Sequence, residues 1–204
     1  MTHPSILASQ ASPLSLTASG APHDFVWPDE AACQSLAARL AEALRPTLLS
    51  GASLTLELHG TLGAGKTTFT RHLLRALGVQ GRIKSPSYAV VEPHELPGMP
   101  IHHFDFYRFN DPQEWEDAGF RDIFGAPGLK LVEWPEKAAG LLPQADLALH
   151  IEVMGEGEDV GRDADNDAPA RHVHLRPGTP AGHAAVARLL AAPAPQCETE
   201  ELHG

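Results

Sequence analysis

The run Gly60-Thr61-Leu62-Gly63-Ala64-Gly65-Lys66-Thr67-Thr68 constrains the fold of this chain more than any other segment. It fits G-x-x-x-x-G-K-[ST], a loop that wraps phosphate groups in main-chain N–H donors. Such a loop needs a strand before it and a helix after it. Leu54-Thr55-Leu56-Glu57-Leu58 alternates in polarity, as a strand does. Lys66 through Leu77 sets Phe69, Leu73, Leu74 and Leu77 at helical spacing. A helix N-terminus, with its dipole and unpaired N–H groups, is an anion site. Gly63 and Gly65 allow the positive φ and close backbone approach that a phosphate requires. Lys66 is then placed to neutralise β- and γ-phosphate oxygens, and the Thr67 hydroxyl to bind Mg²⁺. The expected nucleotide-binding residues are Thr61, Leu62, Gly63, Ala64, Gly65, Lys66, Thr67 and Thr68.

Charge narrows the partners. A formal charge of −11 leaves no basic stripe for a phosphate backbone, so any nucleic acid is expected to be met through a partner. Cys33 and Cys197 lie far apart and suggest neither a disulfide framework nor a metal cluster. No apolar run approaches membrane-spanning length, and the first residues lack the pattern of a secretory signal. A cytoplasmic protein without membrane contact is the expectation.

The 204 residues suit one domain. Residues 1–23, rich in Ser, Ala, Pro and Thr, read as a disordered tail, 24–192 as the P-loop domain, and 193–204 as a frayed end. A short strand is expected over 25–27. A helix follows from an Asp29 N-cap to Arg45, where Pro46 is expected to stop it. Gly78 closes the P-loop helix. Further strands are expected over 88–92, 101–109, 129–134, 147–153 and 172–175, with helices over 111–118 and 181–192. The fold class is α/β, a mixed, mostly parallel P-loop NTPase-like sheet flanked by helices. Residues 155–170 form an acidic insertion. Asp163, Asp165 and Asp167 alternate as in a Ca²⁺ loop, but the other ligands and the closing Glu are missing, so a solvated loop is expected.

A P-loop also needs a carboxylate at the end of a neighbouring strand to hold Mg²⁺, and a group to orient the attacking water. Leu129-Lys130-Leu131-Val132-Glu133 is an apolar strand ending in an acid, which makes Glu133 the expected metal ligand. Asp105 lies between aromatics in His103-Phe104-Asp105-Phe106-Tyr107-Arg108. An acid buried there is costly without a charged partner, so Asp105 joins Lys66 as a catalytic candidate. The twelve histidines suggest no metal centre. His102 and His103 face opposite sides of a strand, and His172 and His174 share a face without a third ligand. These are expected to be surface or internally satisfied histidines. Trp134 reads equally as a stacking or a core residue. The guanine-reading Asn-Lys-x-Asp is absent, which leaves ATP as the nucleotide.

Four blocks now stand in order: Gly63 to Phe69, Lys84-Ser85-Pro86-Ser87-Tyr88, His103 to Arg108, and Leu131-Val132-Glu133-Trp134-Pro135. In order and spacing they resemble the TsaE-type (YjeE-type) bacterial ATPases, over roughly Phe25 to Leu190. The resemblance implies ATP and Mg²⁺ as cofactors and a TsaD–TsaB-type complex as partner. It also implies a role in threonylcarbamoyladenosine (t6A) modification of tRNA, with tRNA met only through that complex. It assigns phosphate and metal to Lys66 and Thr67, metal to Glu133, catalysis to Asp105, and a nucleotide-sensitive switch to Ser85-Pro86-Ser87. Two departures stand out. Thr61 occupies a position where most relatives carry Asp, which keeps hydrogen-bonding capacity and loses a charge. The acidic stretch is longer than the family's hairpin loop, so a nucleotide contact by Arg171 is not carried over. The alternative function is a small-molecule kinase. That would need an Arg-bearing lid, whereas the one long insertion here is acidic.

Neither residues 1–20 nor Glu156–Ala168 shows hydrophobic periodicity, so neither is expected to pack on the core. Deleting the first or shortening the second is expected to shift the melting temperature by less than about 5 °C, or ~1 kcal/mol, in a thermal melt. A larger fall would mean that the segment is packed.

Overall fold

The computed structural model describes residues 22–86, 89–110, 112–155 and 169–192. The expected tails up to residue 21 and from 193, the acidic segment 156–168, and Ser87, Tyr88 and Asp111 lie outside the described residues. The strands are β1 (His23–Trp27), β2 (Ser53–His59), β3 (Val91–Leu96), β4 (Met99–Asp105), β5 (Gly128–Glu133), β6 (Leu147–Val153) and β7 (Arg171–Pro177). The helices are α1 (Glu30–Leu49), α2 (Lys66–Leu77), α3 (Pro112–Asp117), α4 (Phe120–Gly125) and α5 (Pro180–Ala191).

One sheet runs in the order β1-β7-β6-β2-β5-β4-β3. Its four central strands, β6, β2, β5 and β4, are parallel. The antiparallel β7 and β1 extend it on one side and the antiparallel β3 on the other. Two reversals bring β1 back to the central direction, so the sheet is mixed and mostly parallel, as expected.

The alternation of β2 sends Leu54, Leu56 and Leu58 to one side, where they meet α1, α2 and α5 in the main core with Leu129, Leu131, Leu149 and Val173. The opposite side of β4 and β5 is covered by an aromatic cluster. There Phe104 and Val132 pack with Phe106, Phe109, Trp115, Phe120 and Phe124. This parallel register sets the C-terminal ends of three strands side by side. Leu58 pairs with Glu133, and Asp105 pairs with Glu133. Ligands bind outside that edge in open α/β sheets.

Several boundaries differ from the sequence expectation. α1 is capped as expected, with the Ala32 N–H donating to Asp29 Oδ1 at 2.8 Å, but it runs through Pro46 to Leu49. Pro46 lies in the last turn and costs one hydrogen bond there, while its own carbonyl accepts from the Ser50 N–H at 3.2 Å. β3 begins at Val91 and not at residue 88, because the chain turns just before it: Val90 sits at φ +61° and its N–H donates to Pro86 O at 2.9 Å. β4 stops at Asp105 and not at Phe109. The Tyr107 N–H turns back to Asp105 Oδ1 at 3.0 Å, and the Phe109 N–H to Phe106 O at 2.9 Å. α4 was not expected. Its six residues carry too little periodicity, yet Phe120 and Phe124 are held by the aromatic cluster.

Gly128 opens β5 with φ +108°, a conformation that side chains resist, and a Cβ there would run into the Pro100 carbonyl on β4. Gly128→Ala is therefore expected to destabilise the fold by at least about 2 kcal/mol in urea unfolding. An unchanged midpoint would mean that β4 and β5 yield freely at this contact.

Candidate functional site

The chain leaves β2 at His59 and turns through the glycine-rich loop into α2. Gly63 and Gly65 hold φ +81° and +115°. A Cβ at Gly63 would meet nothing within 4 Å, and one at Gly65 would meet only Arg171 Nε at 3.9 Å. The turn thus presents bare main chain to open space, which suits close approach of a phosphate.

Lys66 opens α2 and is only 4% exposed. Its Nζ donates to the carbonyls of Gly60 at 2.6 Å and Thr61 at 2.9 Å, and lies 3.6 Å from the centre of the Trp134 ring. Burial lowers the Lys66 ammonium below its ordinary value of 10.5, and Glu133, Glu136 and Asp105 act in the other direction. This places a partly desolvated cation beside a bare main-chain turn.

Glu133 ends β5 at 1% exposed. Its Oε2 accepts from the Thr67 hydroxyl at 2.8 Å, and its Oε1 from the Thr70 hydroxyl at 3.3 Å. Thr67 and Glu133 make a pair of hard oxygen donors at the start of α2, a donor set that fits Mg²⁺. Asp105 ends the neighbouring β4 and is 8% exposed. Its Oδ1 accepts from the Tyr107 N–H at 3.0 Å, and its Oδ2 from the Ser85 hydroxyl of the 84–86 loop. A cleft of about 380 Å³ is lined by Leu62, Gly63, Gly65, Lys66, Thr67, Thr68, Ser85, Asp105, Tyr107, Arg108, Glu133 and Trp134.

Most residues singled out from the sequence thus converge on one cleft. Two do not line it. Ala64 is fully buried beneath the loop. Thr61 lines an adjoining hollow with Gly60, Trp134, Glu136 and Glu152. The Thr61 contribution toward Lys66 is its carbonyl, not its side chain. Trp134 is neither plain core nor a free stacking surface. It is half-buried, sits at φ +59° and bears on Lys66 and on Tyr107, whose ring centre is 4.9 Å away.

Two residues that the sequence reading left without a role stand against the site. Arg171, at the start of β7, donates from Nε to Ala64 O at 3.2 Å and from Nη1 to Pro169 O at 2.5 Å. It also borders a second hollow behind the loop with Trp27, Asp29, Glu30, Gly65 and Thr68. The family resemblance pointed toward it, and the length of the acidic stretch before it kept that contact from being carried over. His103 is fully buried, with Nε2 2.9 Å from Glu133 Oε1. A polar residue two positions before Asp105, on the same face of a strand otherwise apolar there, was the signal that could have found it.

Comparison with known proteins gives the family of the chain. A family model described as "Threonylcarbamoyl adenosine biosynthesis protein TsaE" matches residues 27–163. The protein of Haemophilus influenzae named "tRNA threonylcarbamoyladenosine biosynthesis protein TsaE" is 41% identical over 133 residues, covering 65% of this chain and 84% of that protein. The Bacillus subtilis protein of the same name is 39% identical over 103 residues, covering 50% of this chain and 64% of that protein. Among solved structures, Bacillus subtilis YdiB matches with a TM-score of 0.60 at 22% identity, covering 85% of this chain and 98% of that one, a likeness of fold. No helix among the described residues is long and apolar enough to cross a membrane. With a family model spanning most of the domain and a relative matched over most of its own length, the chain belongs to the TsaE family.

Proposed function

We propose that this protein is a Mg²⁺-dependent ATPase of the cytoplasm that supports t6A modification of tRNA, its hydrolysis driving the cycle of a TsaD–TsaB-type complex. The observation that carries the reading is the convergence of three groups at one sheet edge: the glycine-rich turn with Lys66, the Thr67–Glu133 pair at 2.8 Å, and Asp105 on the adjacent strand. The pathway follows from family membership and the names of the relatives.

In this reading the N–H groups of the turn and of the first turn of α2 bind the phosphates. Lys66 exchanges its carbonyl partners for phosphate oxygens and regains the charge stabilisation that burial costs it. Thr67 and Glu133 hold Mg²⁺, which when bound neutralises charge on the phosphates. Asp105 accepts a proton from, or orients, the attacking water. The Ser85 hydroxyl on Asp105 ties the 84–86 loop to that acid, so the loop is placed to respond to the nucleotide state. No substrate is phosphorylated. The partner takes up the energy by binding the ATP and ADP forms differently.

Lys66→Ala is expected to weaken ATP binding severely in a nucleotide titration. Glu133→Ala and Asp105→Ala are expected to retain ADP binding through the main-chain cradle and to lose phosphate release. Unchanged affinity in the first variant, or wild-type turnover in the others, would overturn the assignment.

The isolated protein is expected to hydrolyse ATP slowly. Arg108 lines the cleft, but among the described residues no second arginine does. A cation supplied by a partner is worth about 10³-fold or more in rate. Adding a TsaD–TsaB-type complex should therefore raise phosphate release by that order, and moderate salt should weaken the effect on so acidic a protein. Fast turnover by the protein alone, with label passing to a small-molecule acceptor and not to water, would favour a kinase.

A further inference from the structure

Behind the candidate metal carboxylate stands an imidazole that the ATPase reading does not use. His103 is fully buried on β4, paired in register with Leu131, two residues before the Asp105–Glu133 pair along the sheet. Its side of the strand also carries Ile101, and the facing side of β5 carries Leu129 and Leu131, all apolar. A polar ring there costs free energy unless it is hydrogen-bonded. Nε2 meets that need at 2.9 Å from Glu133 Oε1. Nδ1 has no hydrogen-bond partner among the described residues. The polar contact of this ring is thus with one carboxylate oxygen. A ring nitrogen facing a carboxylate at this distance bears the hydrogen, so Nε2–H donates to Oε1.

The donors around Glu133 divide between its two oxygens. Oε1 takes His103 and Thr70, both from the buried side. Oε2 takes Thr67, the residue on the cleft side. We propose that His103, with Thr70, is the positioning residue that aims Glu133 Oε2 at the metal and so sets Mg²⁺ affinity. The proposal rests on the Mg²⁺-ATP reading of this cleft. Two donors from different elements, β4 and α2, fix the carboxylate plane, and the His103 contact at 2.9 Å is closer than the Thr70 contact at 3.3 Å. Outer-sphere partners of metal ligands are typically worth 10–100-fold in metal affinity. The phosphate cradle is main chain and does not touch His103. Nucleotide affinity without metal should therefore not depend on it.

The test is a titration of full-length protein with N-methylanthraniloyl-ADP, first in EDTA and then across a Mg²⁺ series. His103→Phe keeps a flat aromatic ring at the position and removes the donor. It is expected to raise the Mg²⁺ needed for half-maximal effect by about 10–100-fold, with metal-free ADP affinity unchanged. His103→Gln, whose amide offers an N–H at similar reach, is expected to restore most of the wild-type dependence. Thr70→Val is expected to move in the same direction by less, and it decides the matter should the Phe variant fail to fold. Wild-type Mg²⁺ dependence in folded His103→Phe or Thr70→Val, an equal loss of ADP affinity with and without metal, or no recovery in His103→Gln would each overturn the proposal. An absence of ADP binding by the wild-type protein would overturn the nucleotide reading itself. Wild-type binding with no effect of these substitutions would overturn this proposal alone.

Discussion

The carboxylate of Glu133 is the interaction on which the rest of this architecture turns. Taking an ionised carboxylate out of water costs several kcal/mol unless it is fully hydrogen-bonded. Here the donors come from α2 through Thr67 and Thr70 and from β4 through His103. One group on β5 therefore fixes where the P-loop helix sits above the sheet and how β4 lies beside β5. Removing any donor leaves a buried charge short of a partner, so the three elements cannot shift independently without cost. The fold and the candidate chemistry share one constraint.

Around that centre the backbone is held in unfavourable places. Among the described residues, the non-glycine positions with positive φ are Val90 and Trp134. Each such position costs on the order of 1–3 kcal/mol and persists only where its surroundings over-determine it. Val90 is held because its carbonyl accepts the Asp105 N–H at 2.9 Å. Trp134 is held between Lys66 and Tyr107, and the chain passes from it into a short 3-10 turn at Pro135–Ala138. Trp134 directly follows Glu133 and lines the cleft, and Val90, just before β3, is hydrogen-bonded to the main chain of Asp105. The strain sits where the two carboxylates must be aimed.

Features governed by local rules were legible in the sequence. The P-loop and its flanks, the Asp29 cap, Gly78, the 147–153 strand and the positions of Asp105 and Glu133 at strand ends follow from periodicity, capping and motif spacing. Features set by tertiary contact were not. α4 owes its existence to aromatic burial, and Pro46 is carried by a helix anchored along most of its length by the core. In sequence His103 reads among the surface or internally satisfied histidines; it is buried and satisfied only at Nε2, while Nδ1 has no partner among the described residues. That the group satisfying it is Glu133 depends on the β4–β5 register, and the register is not written in either strand alone.

The grip of Lys66 on the loop has a consequence for how this chain can vary. Its Nζ is bound to the carbonyls of Gly60 and Thr61. A carbonyl is common to every residue type, so position 61 can hold the lysine whatever side chain it bears, whereas Gly60 cannot be exchanged so easily, because a Cβ there would lie 2.5 Å from Ile151 O. The two neighbours perform the same service for Lys66 under opposite evolutionary freedom. One is locked by its backbone surroundings. The other is open to drift, which is how a threonine can stand at the second place of the loop while the geometry of the lysine is kept.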